Sequence, residues 1–275
     1  MSVLPLPALI SALSARDLTD PERGPHALQL LIDAAVETLT HLWGCPARIV
    51  RARPVATVGD NFDRLGYAAD ALALESRYTH YAGDTCLVCS RTSDGVPPAL
   101  RRLAGEAEPP EQVLLALPGI CLRRGPVDRL HTGTPHQLDL WLIRHGGRPL
   151  DLDDLSRTVG RLMSALLPGR HWRWTAAAHP YTVNSRHVDV IDGGDAVEIA
   201  ECGLAAPHVL AAAGLDPVRW NGLALGIGLD RALMVRKGIP DIRLLRSEEP
   251  QVAEQMLDLS PYRPAGADAR PPLIT

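Results

Sequence analysis

Long apolar segments, lysine and paired cysteines are scarce in this 275-residue sequence. No apolar run reaches the roughly 18 residues that a membrane-spanning helix needs, so we expect no association with a membrane. The first residues, MSVLPLPALISAL, contain neither a basic region nor an A-x-A cleavage site, so they predict no signal peptide. Five cysteines are an odd number in a chain too large to need disulfides, which is typical of a reduced, cytoplasmic protein.

The positive charge is carried almost entirely by arginine, because Lys237 is the only lysine, and we interpret this as a compositional bias of the source genome. Apolar residues make up 46% and charged residues 22%, which excludes a disordered chain. The net charge of −4 argues against a protein whose main task is to coat nucleic acid. We predict an N-terminal arm at residues 1–24, a main domain at 25–256 and a C-terminal tail at 257–275.

The spacing of apolar residues predicts a few helices and many short strands, without regular alternation between the two. The predicted helices cover residues 25–42, 151–167, 209–213 and 230–236. The predicted strands cover residues 48–55, 85–89, 113–117, 138–144, 172–174, 187–191, 196–200 and 222–228. This pattern favours the α+β class, with an antiparallel sheet and helices packed beside it.

The most informative segment is a glycine-punctuated strand near the C-terminus, which contains Gly222, Gly226 and Gly228 and runs into a helix. Glycine lets another group approach the strand backbone closely. Arg231 falls in the first turn of that helix, where a guanidinium could bind a phosphate oxygen. A tightly packed strand–helix junction with a surface arginine explains the same pattern, so both interpretations stay open.

A second polar segment lies between two predicted strands. The first strand ends in Arg123 and Arg124, and the returning strand carries His136, Gln137 and Asp139. In a hairpin, this arrangement sets positive groups against hydrogen-bonding groups. It is consistent with a clamp for a polyphosphate or a carboxylate, and also with a solvated loop that has a basic tip.

Taken together, these segments resemble the signature motifs of class II aminoacyl-tRNA synthetases, most closely the catalytic domain of the phenylalanyl-tRNA synthetase alpha subunit. The similar segments, in order, are residues 60–65, 122–137, 180–190, 197–203, 222–231 and 241–243. They cover about residues 25–256 with matching spacing. Each motif is weak alone, but a collinear series is a strong resemblance.

The resemblance implies an antiparallel catalytic domain that uses ATP and Mg²⁺ to convert an amino acid into an aminoacyl-adenylate. It implies that Arg123 binds the α-phosphate and the substrate carboxylate, and that Arg231 binds the γ-phosphate. It implies that Glu198, with Asp189, coordinates a Mg²⁺ ion that bridges phosphates. Such a small set of ligands is reasonable, because Mg²⁺ usually binds few protein carboxylates and keeps several waters. No general base is needed, because the attacking carboxylate is already ionised at neutral pH.

The resemblance also suggests an amino-acid pocket, in which Asp139 replaces a glutamate near the substrate ammonium. The residues that it assigns to this pocket are Ser93, His136, Gln137, Asp139, Glu201, Leu223 and Ala224. Glu201 replaces a glycine, and such a carboxylate needs a partner, either a polar or basic substrate side chain or a nearby Arg91 or Arg186.

Several further departures from the family pattern fall around the same pocket. The family's Phe-Ala-Phe is Leu223-Ala224-Leu225 here, Val183-Asn184 replaces Glu-Pro, and Arg91 and Val96 replace a histidine and a glutamine. The lost aromatics lead us to expect a pocket without aromatic walls. We therefore expect that phenylalanine is not the substrate.

The sequence leaves the partners open. We expect a two-fold homodimer through the helix at 25–42, because motif 1 forms a dimer interface in class II domains. The acceptor of the activated amino acid could be a tRNA, a carrier-protein thiol or a small amine. No segment resembles an appended anticodon-binding region, and we interpret the patches Arg48/Arg51/Arg53 and Arg101/Arg102 as solvated surfaces rather than tRNA contacts.

Two alternatives remain. Cys86-x-x-Cys89 and His131-x₄-His136 have zinc-ligand spacing within each pair, although about forty residues separate the pairs. A non-catalytic synthetase paralogue, which binds an amino acid or a nucleotide and regulates a partner, is the alternative function. Gly125 favours it, because the family has an acidic residue there.

Overall fold

One seven-stranded sheet organises the computed structural model, which describes residues 3–51, 54–76 and 78–264. Its elements include, in chain order, α1 (Leu6–Leu13), α2 (Ala27–Trp43), β1 (Ala47–Ile49), β2 (Val55–Thr57), α3 (Val58–Asn61), β3 (Cys86–Val88), α4 (Val96–Ala104), β4 (Gln112–Ile120), β5 (His136–His145), α5 (Leu152–Leu166), β6 (Trp172–Ala176), β7 (Thr182–Asp192), β8 (Asp195–Ala205), α6 (Pro207–Ala212), β9 (Trp220–Gly228), α7 (Leu229–Lys237) and α8 (Pro250–Gln255).

The strand order in the large sheet is β1-β4-β5-β9-β8-β7-β6, and all neighbours are antiparallel except β1 and β4. Strands β2 and β3 form a separate pair. The α+β prediction is confirmed. The single strand predicted at 48–55 is wrong: β1 and β2 belong to different sheets, and residues 52 and 53 lie outside the described residues.

Helices α2, α5 and α7 pack on one face of the sheet and form the main core with it. Helix α2 buries a stripe spaced by three and four residues, which includes Leu28, Leu31 and Leu39. The His26 side chain accepts a hydrogen bond from the Leu28 N–H at the start of α2. Gly44 ends the helix in the left-handed conformation, with φ 59°. The amphipathic helix predicted at 25–42 is therefore confirmed within two residues.

The opposite face of the sheet carries α4, α6 and the candidate site, above a second core that includes Trp141 and Ala224. Since successive side chains on a strand point to opposite faces, every second residue of β5, β8 and β9 faces the site. This alternation decides which of the predicted site residues reach it.

A β-bulge in β8 interrupts the alternation at one place. Val188 pairs with Ala200 and Asp189 pairs with Glu198, so Ile199 is an extra residue on β8. Ile199 and Ala200 consequently both join the main core. The bulge brings Glu198 and Glu201, three residues apart, to the same face of the sheet.

The ends of the described chain pack against the main domain. Leu4 and Leu18 of the predicted arm are buried, and the Lys237 ammonium lies 3.0 Å from Oδ1 of Asp258 in the predicted tail. Residues 1–2 of the arm and 265–275 of the tail lie outside the described residues, and the division into arm, domain and tail stays a prediction. No helix in the described ranges is long and apolar enough to cross a membrane.

Candidate active site

Two adjoining cavities open on the site face of the sheet. The first, here called the polar pocket, has a volume of about 410 Å³, and its lining includes Tyr67, Ser93, Asp139, Tyr181 and Glu201. The second, here called the arginine pocket, has a volume of about 370 Å³, and its lining includes Gly125, His131, Glu198, Gly228 and Arg231. Both are lined by Tyr78, Arg123, Arg124, Gln137, Glu201 and Gly226, so ligands in the two pockets would be neighbours.

The two predicted phosphate-binding arginines are positioned largely by backbone carbonyls. Arg123 donates from Nε to the Ser90 carbonyl at 2.8 Å and from Nη2 to Gln137 Oε1 at 2.9 Å. Arg231 donates from Nε to the Leu130 carbonyl at 3.3 Å and from Nη1 to the Glu198 carbonyl at 3.2 Å. A guanidinium has five N–H donors, so each arginine retains donors for an anionic ligand.

Arg124, the second of the paired arginines, holds a loop as well as lining both pockets. Its Nε lies 3.2 Å from His80 Nδ1, and its Nη1 donates to the Ser76 carbonyl at 3.0 Å. The resemblance assigns phosphate binding to Arg123 alone. In the structure, Arg124 also lines both pockets and contacts residues 76–80.

The predicted magnesium ligands are direct neighbours across β7 and β8. Asp189 pairs in register with Glu198, and of the two only Glu198 lines the arginine pocket. Glu198 Oε2 lies 3.1 Å from His187 Nδ1, and its Oε1 lies 3.8 Å from Arg231 Nη1. In the described part of the chain, no three His, Cys, Asp or Glu side chains form a complete metal cage. One or two carboxylates nevertheless suit Mg²⁺ when phosphates and waters complete its shell.

A row of residues across three strands forms the floor of the polar pocket. Asp139 of β5 pairs with Gly226 of β9, which pairs with Glu201 of β8. Gly226 has no side chain, and a Cβ atom there would lie only 3.3 Å from Glu201 Cγ. The Glu201 side chain therefore lies over the glycine, on the side of the pocket opposite Asp139.

Asp139, which is more buried than Glu201, has a neutral hydrogen-bond donor. Its Oδ2 accepts a hydrogen bond from Thr92 Oγ1 at 2.6 Å. Asp139 is buried, and burial raises its pKa to about 7 despite that hydrogen bond; the nearby charge of Glu201 acts in the same direction. The carboxyl therefore holds a proton near neutrality until a cation arrives.

Glu201 is bound by two aromatic side chains. Tyr181 donates its hydroxyl to Oε1, and His179 Nδ1 lies 3.2 Å from Oε2. The two arginines that we considered as protein partners bind elsewhere. The Arg91 guanidinium stacks 4.4 Å from the centroid of the Tyr67 ring, and Arg186 donates to the Ser185 carbonyl.

The structure corrects the assignment of His136 to the amino-acid pocket. Its imidazole is fully buried, with Nδ1 2.9 Å from Asp230 Oδ1, and Nε2 accepts a hydrogen bond from the Leu18 N–H at 3.0 Å. His136 has the same strand parity as Leu138, which points into the main core. The histidine therefore ties the arm and α7 to β5; it borders the arginine pocket, but both of its ring nitrogens are engaged within the protein.

Leu223 is also placed wrongly by the sequence-based assignment. It pairs with Leu142, and both side chains lie in the main core beneath the helices. Ala224 does face the site side, but it is buried beside Trp141 and lines neither pocket. Since Leu225 shares the core face with Leu223, the loss of the family's two aromatics at this segment does not change the pocket wall.

The expectation of a pocket without aromatic walls is wrong. Tyr67, Tyr78 and Tyr181 line the polar pocket, and the Tyr181 ring centroid lies 6.4 Å from that of Trp141. The sequence-based assignment missed Tyr67, Tyr181, His179 and Thr92 as site residues. The resemblance did mark residues 180–190 as a motif, but no periodicity could show that Tyr181 turns onto the pocket.

Of the other residues predicted for the amino-acid pocket, Ser93 lines the polar pocket and Gln137 lines both pockets, and their contact with an amino acid stays a prediction. The zinc alternative fails, since Cys86, Cys89, His131 and His136 form no metal-binding group within the described ranges. His131 instead lies 2.8 Å from Asp128, and Cys89 is buried.

The arginine patches are mostly paired within the protein. Arg48 pairs with Glu106, Arg51 donates to the Thr19 carbonyl at 2.8 Å, and Arg101 lies 2.8 Å from Asp60. Arg53 lies outside the described residues. These internal contacts agree with the interpretation of solvated surfaces.

Comparison with known proteins gives a consistent result. The family model described as the tRNA synthetases class II core domain (F) matches residues 26–256. The phenylalanine–tRNA ligase alpha subunit of Prochlorococcus marinus (strain MIT 9313) is 34% identical over 241 residues, which cover 87% of this chain and 69% of that protein. The corresponding subunit of Nostoc punctiforme is 31% identical over 86% of this chain and 68% of its own length.

Proposed function

Because this chain belongs to the tRNA synthetase class II core-domain family, we propose that it activates an amino acid with ATP, forming an aminoacyl-adenylate and pyrophosphate. One observation carries the proposal: Arg123 and Arg231 line one cavity, and that cavity adjoins a second one lined by carboxylates and hydroxyls. Such a pair of pockets suits a polyphosphate beside a zwitterion.

In this proposal, the substrate carboxylate attacks the α-phosphorus in line, and pyrophosphate leaves. Arg123 binds the α-phosphate and the attacking carboxylate, and Arg231 binds the γ-phosphate. Fixed guanidinium groups stabilise the developing charge without needing to reorganise. The hydrogen bonds from both arginines to backbone carbonyls support this role, because they hold each group in place before ATP arrives.

Glu198, assisted by Asp189, would hold Mg²⁺. When bound, the ion would neutralise part of the phosphate charge. The carboxylate of Glu198 lies beside both Arg231 and His187, so it is oriented by neighbours on two sides. Asp189 lies opposite Glu198 on the neighbouring strand. We propose that it assists binding of the ion indirectly, through a water molecule or by orienting Glu198.

At the amino-acid end, Asp139 would accept the substrate ammonium, with Ser93 and Gln137 nearby. We propose that phenylalanine is not the substrate. The floor beneath the side chain carries Glu201 in addition to Asp139, and a phenyl ring would bury the Glu201 carboxylate without supplying a cationic partner. This reason replaces the argument from missing aromatics.

The decisive experiment is amino-acid-dependent exchange between pyrophosphate and ATP, measured with all twenty standard amino acids and with non-standard ones. We expect exchange with at least one polar amino acid and little with phenylalanine. Preferred exchange with phenylalanine would overturn the substrate proposal, and absence of exchange with every amino acid would overturn the enzymatic one.

A non-catalytic paralogue that binds an amino acid or nucleotide is the second candidate. Gly125 favours it: the residue lines the arginine pocket, and a Cβ atom there would meet nothing within 4 Å, so a side chain is missing where space exists. Calorimetric binding of ATP or an amino acid without exchange would support this candidate.

If the protein does catalyse exchange, transfer assays to tRNA, a carrier-protein thiol and a small amine would identify the acceptor of the activated amino acid.

We also propose a cytoplasmic homodimer formed through α2. Its exposed side includes Leu30, an apolar residue that is 40% exposed. A two-fold interface would bury this side of the helix against its own copy. We expect light scattering at micromolar concentration to give twice the mass of one chain; the mass of a single chain would contradict the proposal.

A further inference from the structure

The polar pocket contains more negative groups than one substrate ammonium needs. Asp139 and Glu201 lie on either side of Gly226, and Asp94 lies close enough for its charge and that of Asp139 to interact. The hydrogen-bond partners of the two floor carboxyls are Thr92, Tyr181 and His179. Within the described chain, neither Asp139 nor Glu201 forms an ion pair with lysine or arginine.

Arg91 is one of the arginines that line the polar pocket, and within the described chain it forms no ion pair with Asp139 or Glu201. Its guanidinium stacks on Tyr67 and Phe62, and its buried Nε has no hydrogen-bond partner. The other two arginines that line the pocket, Arg123 and Arg124, donate to the Ser90 and Ser76 carbonyls rather than to the floor carboxyls. Burial raises the pKa of both Asp94 and Asp139 to about 7, although the nearby charge of Arg91 acts in the opposite direction.

The depth of the pocket is limited. Tyr181 bonds Glu201 across the floor, and Trp141 packs behind Tyr181, with Ala224 buried at the same level. Neighbouring strands lie about 4.8 Å apart, so the backbones of Asp139 and Glu201 are about 10 Å apart across β9. Both side chains reach into this gap, which leaves room for two cationic groups a few bonds apart.

We propose that the substrate is a short diamino acid, whose α-ammonium binds Asp139 and whose side-chain ammonium binds Glu201. The inference rests on the proposed function, since that function places the amino acid in the polar pocket. Glu201 is then the specificity-determining residue, and Tyr181 and His179 are positioning residues that hold its two oxygens. The two substrate ammoniums supply the two positive charges that the floor lacks.

The experiment uses the full-length chain and two readouts, pyrophosphate exchange and calorimetric binding. The probes are 2,3-diaminopropionate, 2,4-diaminobutyrate, ornithine and lysine, compared with serine, homoserine, 2-aminobutyrate and phenylalanine. We expect one of the three shorter diamino acids to give the highest kcat/KM and the tightest binding. Its advantage over 2-aminobutyrate should be about 100-fold, as expected for a site that pairs a buried charge.

The variant Glu201→Gln keeps the shape of the side chain and removes its charge. It should lower kcat/KM for the preferred diamino acid about 100-fold and change that for homoserine less than threefold. Glu254→Gln, at an exposed glutamate on α8, is the matched control and should change neither. Melting temperatures of both variants check that they fold.

The possible failures are distinguishable. If a neutral amino acid exchanges or binds best, the diamino-acid proposal is wrong while the activating function stands. If diamino acids bind best by calorimetry but no amino acid supports exchange, the substrate proposal stands and the enzymatic function fails. Equal loss of serine and diaminobutyrate binding in Glu201→Gln would show that Glu201 is merely structural and would overturn its assigned role.

Discussion

The arginine pocket and the polar pocket adjoin each other but are built in different ways. The arginine pocket uses partly exposed charged groups: Arg123 follows the end of β4, Arg231 lies at the start of α7, and Glu198 lies within β8 beside its bulge. The polar pocket places carboxyls on the floor of the sheet, where burial raises the pKa of Asp139 to about 7. The arginine pocket, proposed to bind phosphates, is thus built largely from local segments, whereas the polar pocket, proposed to bind the amino acid, depends on the register of three strands.

The largest effect should come from breaking the arginine pocket. We expect Arg123→Ala and Arg231→Ala each to lower pyrophosphate exchange by about 100- to 1000-fold, because each removes a fixed positive charge from developing phosphate charge. Steady-state exchange at saturating ATP and amino acid measures the loss.

Arg161→Ala provides the control for both variants, since Arg161 is an exposed arginine on α5, away from both pockets. It should retain normal exchange. Near-normal exchange in either pocket variant would remove that arginine from the proposed mechanism.

The segments of the arginine pocket that contain Arg123 and Arg231 could be predicted, because the residues that form each segment are close together in the sequence. The strand, glycines and helix start around Arg231 follow one another in the chain, as do Arg123 and its hairpin. The lack of regular alternation between strands and helices also predicted the α+β fold with an antiparallel sheet. Local patterns suffice where a strand end or a helix start supplies the geometry.

The polar pocket could be predicted only in part. The face of the sheet to which each side chain points depends on its place in the strand alternation and on the bulge in β8. His136 and Gln137 are consecutive, yet they point to opposite sides of β5. The extra residue Ile199 brings Glu198 and Glu201 to one face, and alternation alone would separate them. Tyr181 lies in the turn just before β7, and only the fold brings it to Glu201.

A second, smaller effect concerns stability. We expect Asp139→Asn to raise the free energy of unfolding at pH 8 by about 2 kcal/mol, because it removes a carboxylate that burial disfavours. The folded protein retains the Asp139 proton up to about pH 7, while the unfolded chain loses it near pH 4. Stability of the native protein should therefore fall as the pH rises through this window.

Urea unfolding at pH 4.5 and pH 8 measures this difference for both proteins. The Asn variant should show a weaker fall in stability between the two pH values, while its exchange activity is lost. A variant less stable than the native protein at pH 8 would show that the ionised carboxyl is stabilising, contrary to its raised pKa.

The same carboxyl should give the amino-acid KM a pH dependence of about tenfold. Asp139 must be ionised to pair with an ammonium, so KM should rise as the pH falls from 8 to 6, through its pKa of about 7. The groups that face Asp139 are Thr92, Arg91 and Glu201, and Asp94 lies nearby. The KM for ATP should vary less, since it depends on the arginine pocket; equal pH dependence of both KM values would contradict the assignment.

The smallest effect on catalysis should come from His136, which lies beside Gln137 in sequence but beneath the sheet in space. His136→Ala leaves the buried Asp230 without its imidazole partner and removes the acceptor for the Leu18 N–H. We expect the melting temperature to fall by several degrees, through a loss of about 2 kcal/mol or more. At a temperature where the variant is folded, the amino-acid KM should stay within about twofold of the native value. Gln137→Ala, its neighbour on the site face, should raise that KM severalfold with little change in melting temperature. If the two variants behave in the reverse way, the side chains on β5 face opposite to the register described above, and the polar pocket is assigned to the wrong residues.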